Sequence, residues 1–273
     1  MSQTPRVPPG TSRTPLDPWN TLGRFTPARI GLGRAGGSIP TRQLLDFQLA
    51  HARARDAVQR EFDVGALRDK LGAKQFDVLV LASAAGDRHT FIQRPDLGRI
   101  LDEKSKSLLE TWTHKQSWDA VFVMADGLSA LAVQRHALSL MEMMQPHLAR
   151  EGWRIAPCCL VSQGRVAVGD EIGALLPAQM SIVLIGERPG LTSPDSMGAY
   201  LTWHPLPGRS NAERNCVSNI HPQGLSYAAA AYKLLQLMRQ SRSRKLSGRA
   251  LKDDAVLPGP SELLKLFPNG NNP

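Results

Sequence analysis

Ser181-Ile-Val-Leu-Ile-Gly-Glu-Arg-Pro-Gly190 opens the most informative stretch of the chain, which continues through Asn215-Cys-Val-Ser-Asn-Ile-His-Pro-Gln-Gly224 to Met238. Ser181 to Ile185 is a short apolar run rich in β-branched residues that halts at Gly186, the pattern of a buried strand in an α/β sheet. Glu187 and Arg188 stand where that strand ends, the edge at which open parallel sheets hold their ligands. Two readings follow for the charged pair. It touches a ligand, or Glu187 and Arg188 pair with each other or a neighbour while Pro189-Gly190 makes a turn. Tyr200 to Trp203 reads as a further strand, and Cys216 begins a loop that delivers Ser218 and Asn219. Gly224 and Ser226 precede a helix whose apolar residues Tyr227, Ala231, Leu234, Leu235 and Met238 fall on one face. Free amides at that helix start suit a phosphate or an amide-bearing ligand.

Working outward, Phe76 to Ser83, Asp119 to Ala125 and Trp153 to Val161 have the same strand character. Between them lie helical segments: one from Arg94 to about Lys115, with Pro95 in its first turn, and one from Asp126-Gly-Leu-Ser129 to Arg150. Strands alternating with helices of that length build right-handed βαβ units and a mostly parallel sheet flanked by helices. The predicted fold class is therefore α/β and Rossmann-like, over residues 76–247. Asp126, beside Gly127 and Ser129 at a strand end, contacts ligand or caps the next helix.

Residues 1–28 carry six prolines among Thr, Ser and Arg and read as an extended or disordered arm without a long helix. Residues 29–75 form a small helical part: Thr41 is placed to cap a helix to about Gln59 with the stripe Leu44, Leu45, Gln48 and Ala52, and a short helix follows from Val64 to Leu71. Gly31, Gly33 and Gly36 spell Gly-x-Gly-x-x-Gly, but no strand leads into them and the helix starts only after Pro40, so the dinucleotide fingerprint lacks its context. Residues 248–273 turn polar and Pro-rich, a flexible tail with one amphipathic piece, Ser261 to Phe267.

The net charge of +9 admits a nucleic-acid partner, yet the basic residues are scattered, aromatics make up only 5% and no recognition motif is present, and an acidic partner subunit or a phosphate-bearing ligand fits at least as well. No apolar run approaches the ~20 residues needed to cross a bilayer, and no secretory h-region precedes the first strand. Three cysteines and scattered histidines offer neither a disulfide framework nor metal-ligand spacing. The expectation is a cytoplasmic protein with no membrane, no nucleic acid and no side-chain-bound metal.

Six segments in order resemble the small (light) subunit of ethanolamine ammonia-lyase: Arg29 to Thr41 (RIGLGRAGGSIPT), Arg94 to Arg99 (RPDLGR), Asp126 to Ser129 (DGLS), Gly164 to Gly173 (GRVAVGDEIG), Gly186 to Gly190 (GERPG) and Cys216 to Gly224 (CVSNIHPQG). The resemblance covers roughly residues 25–245. It implies an adenosylcobalamin-dependent, two-chain lyase whose large subunit, a TIM barrel, holds the amino alcohol. Homolysis of the cobalt–carbon bond gives an adenosyl radical that takes a hydrogen from ethanolamine, and the rearranged radical releases ammonia and acetaldehyde. The small subunit's part is cofactor binding, with the family's cobalamin contacts falling on Val166, Glu187 and Cys216 and no catalytic residue in this chain, which alone would be inactive. Val166 would offer backbone and apolar surface to the corrin edge, and Glu187 would accept hydrogen bonds from the corrin amides. Asn219-Ile-His-Pro-Gln-Gly224 is one residue away from Asp-x-His-x-x-Gly, the signature of enzymes in which a histidine replaces cobalamin's base. The lyase family keeps that base, so His221 reads as a loop or packing residue. Microcompartment-associated members of the family begin with an amphipathic helix, which the Pro-rich start here does not make. The rival reading is a non-catalytic cobalamin- or nucleotide-binding module; an independent oxidoreductase is disfavoured by the misplaced glycine loop.

Overall fold

The structure, a computed structural model, describes residues 17–112 and 117–268. Among these residues six strands form one sheet in the order β1-β3-β2-β4-β5-β6: β1 (Val78–Ala82), β2 (Val121–Ala125), β3 (Cys158–Ser162), β4 (Met180–Gly186), β5 (Met197–Trp203) and β6 (Arg214–Ile220). β1, β3, β2 and β4 run parallel, while β4–β5 and β5–β6 are antiparallel. The α/β class is as expected. Its antiparallel end has a simple cause: 187–196 and 204–213 carry no helix long enough for a crossover, so the chain can only return beside the strand it has just left. β2 and β4, VFVMA and MSIVLIG, are buried at every position, as strands covered on both faces must be.

Helices α2 (Val64–Ala73), α5 (Ala130–Arg150) and α7 (Tyr227–Arg244) cover one face. Leu140, Met144, Leu234 and Met238 are fully buried there against Phe122, Leu160, Ile182 and Leu184. α4 (Glu103–Glu110) and α6 (Val168–Leu175) cover the other, packing Leu109, Val168 and Ile172 on Val123, Val161 and Val183. The predicted stripe of α7, Tyr227, Ala231, Leu234, Leu235 and Met238, is buried throughout, and Ser226 caps its start.

Several local expectations are corrected. Cys216 lies within β6, not in a loop. In place of the long helix expected from Arg94, a 3-10 turn over Leu97–Arg99 leads to the shorter α4, capped by Asp102, and the expected end at Lys115 lies outside the described residues. A helix not expected, α3 (Arg88–Gln93), capped by Asp87, ends before Arg94. α1 (Thr41–Gln59) is entered through Pro40, with no side-chain cap. Its expected inward stripe faces out: Leu44 and Leu45 are exposed, and Ala57 is the one residue of the helix classed as buried. The last part of the arm forms a 3-10 helix, Pro18–Arg24, capped by Asp17, and residues 1–16 lie outside the description. Gly31, Gly33 and Gly36 have positive φ and form a tight loop that no strand precedes. The amphipathic piece near the end is docked, not loose: α8 (Pro260–Leu266) brings Phe267 to 3% exposure against the His147 ring of α5.

Candidate functional site

The ends of β2, β3, β4 and β6 meet at one edge of the sheet, where the segments DGLS, GRVAVGDEIG, GERPG and CVSNIHPQG follow them or end them, with RPDLGR bonded to the second. Period-two alternation puts Val183, Ile185 and Glu187 on one face of β4, the face that α6 covers. The Glu187 carboxylate is tied at Oε2, which accepts from the Ser196 hydroxyl at 2.5 Å and from the Asn219 backbone N–H at 3.2 Å. Both described bonds fall on Oε2 and neither comes from Arg188, so of the two pairings read from the sequence, with each other or with a neighbour, Glu187 shows the second. Gly198 makes the space: a Cβ there would stand 2.9 Å from Glu187 Oε1 and 3.2 Å from the Tyr200 ring.

Cys216 pairs in register with Tyr200 across β5–β6, on the Glu187 side. The tyrosine hydroxyl bonds the cysteine sulfur, and Glu187 adds its field. Local desolvation raises the thiol's pKa above its usual value, with Glu187 in the same direction and the Tyr200 bond opposing. Although the residue is exposed, Cys216 is thus a neutral thiol near pH 7, suited to contact and not to nucleophilic attack. Asn219 follows with φ +62° and accepts, at Oδ1, 2.9 Å from His221 Nε2. His221 is buried, in keeping with a packing role. Gly224 closes the turn, since a Cβ there would fall 2.4 Å from the Asn219 carbonyl.

Val166 lies across the face, half-buried in the turn from β3 to α6. The two motifs RPDLGR and GRVAVGDEIG lock together at this point: Arg165 N–H donates to Gly98 O at 2.6 Å, and a Cβ on Gly98 would collide with Arg165. The Arg165 guanidinium lies 4.0 Å over the Phe91 ring and that of Arg88 lies 4.8 Å from it. A cavity of about 290 Å³ opens beside Val166, lined by Arg99, Arg165, Arg209 and Asn211, an electropositive wall fit for an anionic or amide-rich group.

Asp126 is not the cap of α5. Its Oδ1 accepts from the Gly164 N–H at 3.0 Å, and Arg88 Nη1 stands 3.5 Å from Oδ2 while donating to Gly127 O at 2.8 Å. Burial pushes its pKa up to about 6, with Arg88 and the Gln163, Gly164 and Gly127 amides pulling the other way. The carboxylate therefore organises the floor of the site from beneath. Gly127, at φ +54°, and Gly186 allow this floor to close, because a Cβ on either would meet backbone oxygen within 2.4 Å.

Sequence reasoning placed Val166, Glu187 and Cys216, and the structure sets all three on one face of the sheet. It missed Ser196, Tyr200, Arg88 and Arg165, whose roles depend on strand direction and loop packing. The paired strand Tyr200 to Trp203 was the available signal for Tyr200. Among the described residues no group of three or more His, Cys, Asp or Glu could hold a metal ion, and no helix is long and apolar enough to cross a membrane.

Comparison with known proteins adds an independent line. The family model described as Ethanolamine ammonia-lyase light chain (EutC) matches residues 16–252. The chain is 57% identical over 241 residues to an ethanolamine ammonia-lyase small subunit of Azotobacter vinelandii, covering 88% of this chain and 89% of that one. It is 56% identical over 243 residues to its counterpart in Pseudomonas aeruginosa, with 88% of each covered. To that of Pseudomonas syringae pv. tomato it is 50% identical over 259 residues, covering 94% of this chain and 90% of the relative.

Proposed function

The chain belongs to the ethanolamine ammonia-lyase light-chain family, and from that premise we propose that it is the small subunit of an adenosylcobalamin-dependent lyase converting ethanolamine to acetaldehyde and ammonia. Its task is to hold the cofactor at the edge of the sheet, against a large TIM-barrel subunit that binds the substrate. The observation that carries the reading is the convergence of Glu187, Cys216 and Val166 on one face, with Gly198 leaving room above the carboxylate.

The residues present fit the group. Cobalamin is rimmed by carboxamides and carries a phosphodiester tail. Glu187, fixed at Oε2 by Ser196 and Asn219, presents Oε1 as an acceptor for an amide N–H, a charge-assisted bond of the stronger kind. Cys216 and Tyr200 give a neutral, weakly polar surface for the macrocycle, and Val166 an apolar one. The arginines beside Val166 suit the phosphate. When bound, the cofactor supplies the radical chemistry and the protein supplies position and shelter from water. None of these side chains need gain or lose a proton for that task. The proposed setting is the cytoplasm.

The test is co-expression with the large subunit and an acetaldehyde assay with and without adenosylcobalamin. Product is expected only with both chains and the cofactor. Glu187→Ala should raise the cofactor concentration for half-maximal activity about tenfold to hundredfold, the worth of one hydrogen bond to a charged group. A complex that binds cobalamin but makes no product would favour the non-catalytic binding module. Failure of both association and cobalamin binding would overturn the assignment.

A further inference from the structure

α1 carries an unusual amount of uncovered apolar surface. Leu44, Leu45, Phe47 and Leu49 are 41%, 57%, 42% and 51% exposed, and Ile39 just before the helix is 55% exposed. At 100° per residue these side chains spread over more than half the helix circumference, so burying one stripe on the body would not cover them. Helices in proteins draw most of their stability from tertiary packing of an apolar face, and α1 buries little of its own on the body. A groove of about 650 Å³ lies along it, walled by Leu32, Ile39, Leu44, Phe47 and Leu191. At its side Gln43 Oε1 is buried with no hydrogen-bond partner among the described residues, an acceptor that an occupant could satisfy.

Three observations select the occupant. Residues 17–60 hold seven arginines against three aspartates, so two copies of this surface would repel and a partner rimmed by carboxylates would be drawn in. Residues 1–16 offer only Met1, Val7 and Leu16 as large apolar side chains, too few to fill the groove and cover the helix. Leu191 and Thr192 line the groove and belong to the segment 187–196, which starts at Glu187, so one loop joins the groove wall to the candidate cofactor site. A chain seated here would also border that site.

We propose that α1 and the groove beside it are the docking surface for the large subunit, which supplies an apolar strip, a carboxylate rim and a hydrogen-bond donor to Gln43. This rests on the reading of the chain as one half of a two-chain enzyme. The test co-expresses tagged light chain with the large subunit and weighs the captured large subunit per light chain. Phe47→Asp and Leu44→Asp should each lower capture at least tenfold with the melting temperature of the isolated light chain unchanged, because both side chains are exposed. Leu264→Asp, on exposed α8 surface, should leave capture as in the wild type. Arg53→Glu keeps the apolar surface intact and should weaken capture most at low salt.

Wild-type capture by Phe47→Asp and Leu44→Asp, in a pair that otherwise assembles, would overturn this surface while leaving the two-chain reading intact. No capture by the wild type would overturn the two-chain reading first. A light chain that is dimeric alone and becomes monomeric with Phe47→Asp would assign the surface to a second copy. Faster hydrogen exchange in α1 after deletion of residues 1–16 would assign it to that segment. Either result would refute the large subunit as occupant.

Discussion

Arg214→Ala is the perturbation whose cost the structure defines best. Arg214 on β6 and Asp170 on α6 form a two-pronged ion pair, Nη1–Oδ1 and Nη2–Oδ2 both at 2.6 Å, with each side chain 2% exposed. Nη1 also donates to Thr202 Oγ1 and Nη2 to the Arg209 carbonyl, each at 2.9 Å. Truncation strands a buried carboxylate, which typically costs ~3–5 kcal/mol. At ~2 °C per kcal/mol for a chain of this size, the melting temperature should fall by ~6–10 °C. Burial already raises the Asp170 pKa despite its partner, and loss of the arginine raises it further. A carboxyl with a raised folded-state pKa contributes stability at low pH that is lost as pH rises through that value. The variant's deficit should therefore widen from pH 5 to pH 8. The assay is thermal unfolding by circular dichroism at both pH values, in a cycle with Asp170→Asn and Asp170→Asn/Arg214→Ala. The double variant should lose much less than the two single variants together. A deficit under ~1 kcal/mol, no widening with pH, or additive losses would refute the view that this pair binds α6 to β6 and so fixes Val166 relative to Cys216.

Asp126 makes a second pH-dependent prediction. A carboxyl moved from 3.8 to about 6 corresponds to about 3 kcal/mol of stability present below pH ~4 and lost by pH 7, so the unfolding free energy of Asp126→Asn relative to wild type should improve by about that much between those pH values; a flat difference would discount the buried charge. Gly186→Ala should cost more than the ~1–3 kcal/mol usual for overpacking, since its Cβ would fall 2.0 Å from the Ser129 carbonyl. Gly190→Ala, whose nearest contact is 3.5 Å, should change the melting point little. In the isolated chain a thiol reagent followed by mass spectrometry should modify Cys216, slowly at pH 7 and faster as pH rises, and leave Cys158 and Cys159 untouched. The latter are buried, with the Cys158 thiol pushed up to about 12.

Strands and the α7 stripe were legible because their patterns are local: five to seven consecutive apolar residues admit few alternatives, and Tyr227, Ala231 and Leu234 repeat at helical spacing. Glu187 was legible because it follows directly on such a run. The capping reading of Asp126 failed because Asp-Gly-Leu-Ser before a helix is a capping pattern, whereas the carboxylate's partner, the Gly164 amide, lies 38 positions away. α3 was missed because His89 and Thr90 are weak helix formers; it exists through the Asp87 cap and the packing of Phe91 beneath two arginines. The α1 stripe was legible as apolar, but nothing in one sequence says whether an apolar face meets the same chain or another.

The pairing of Glu187 with Asn219 shows why strand direction mattered most. β4 ends at the edge of the candidate site, β5 begins there, and β6, antiparallel to β5, runs parallel to β4 and returns its own end to the same edge. Two reversals thus bring residue 219 to residue 187, although no crossover helix joins them. Register alone would not aim the amide. Met197 pairs with Ile220 but Ala199 with Val217, so β6 carries one extra residue at this point. Asn219, at φ +62°, occupies that bulge, a left-handed conformation that asparagine tolerates better than most residues. Its N–H turns out of the ladder to Glu187, the re-aiming that bulges provide beside functional sites. The CVSN segment thus reads as a strand interrupted at the residue that must face the carboxylate, and its polarity, which suggested a loop, reflects that interruption.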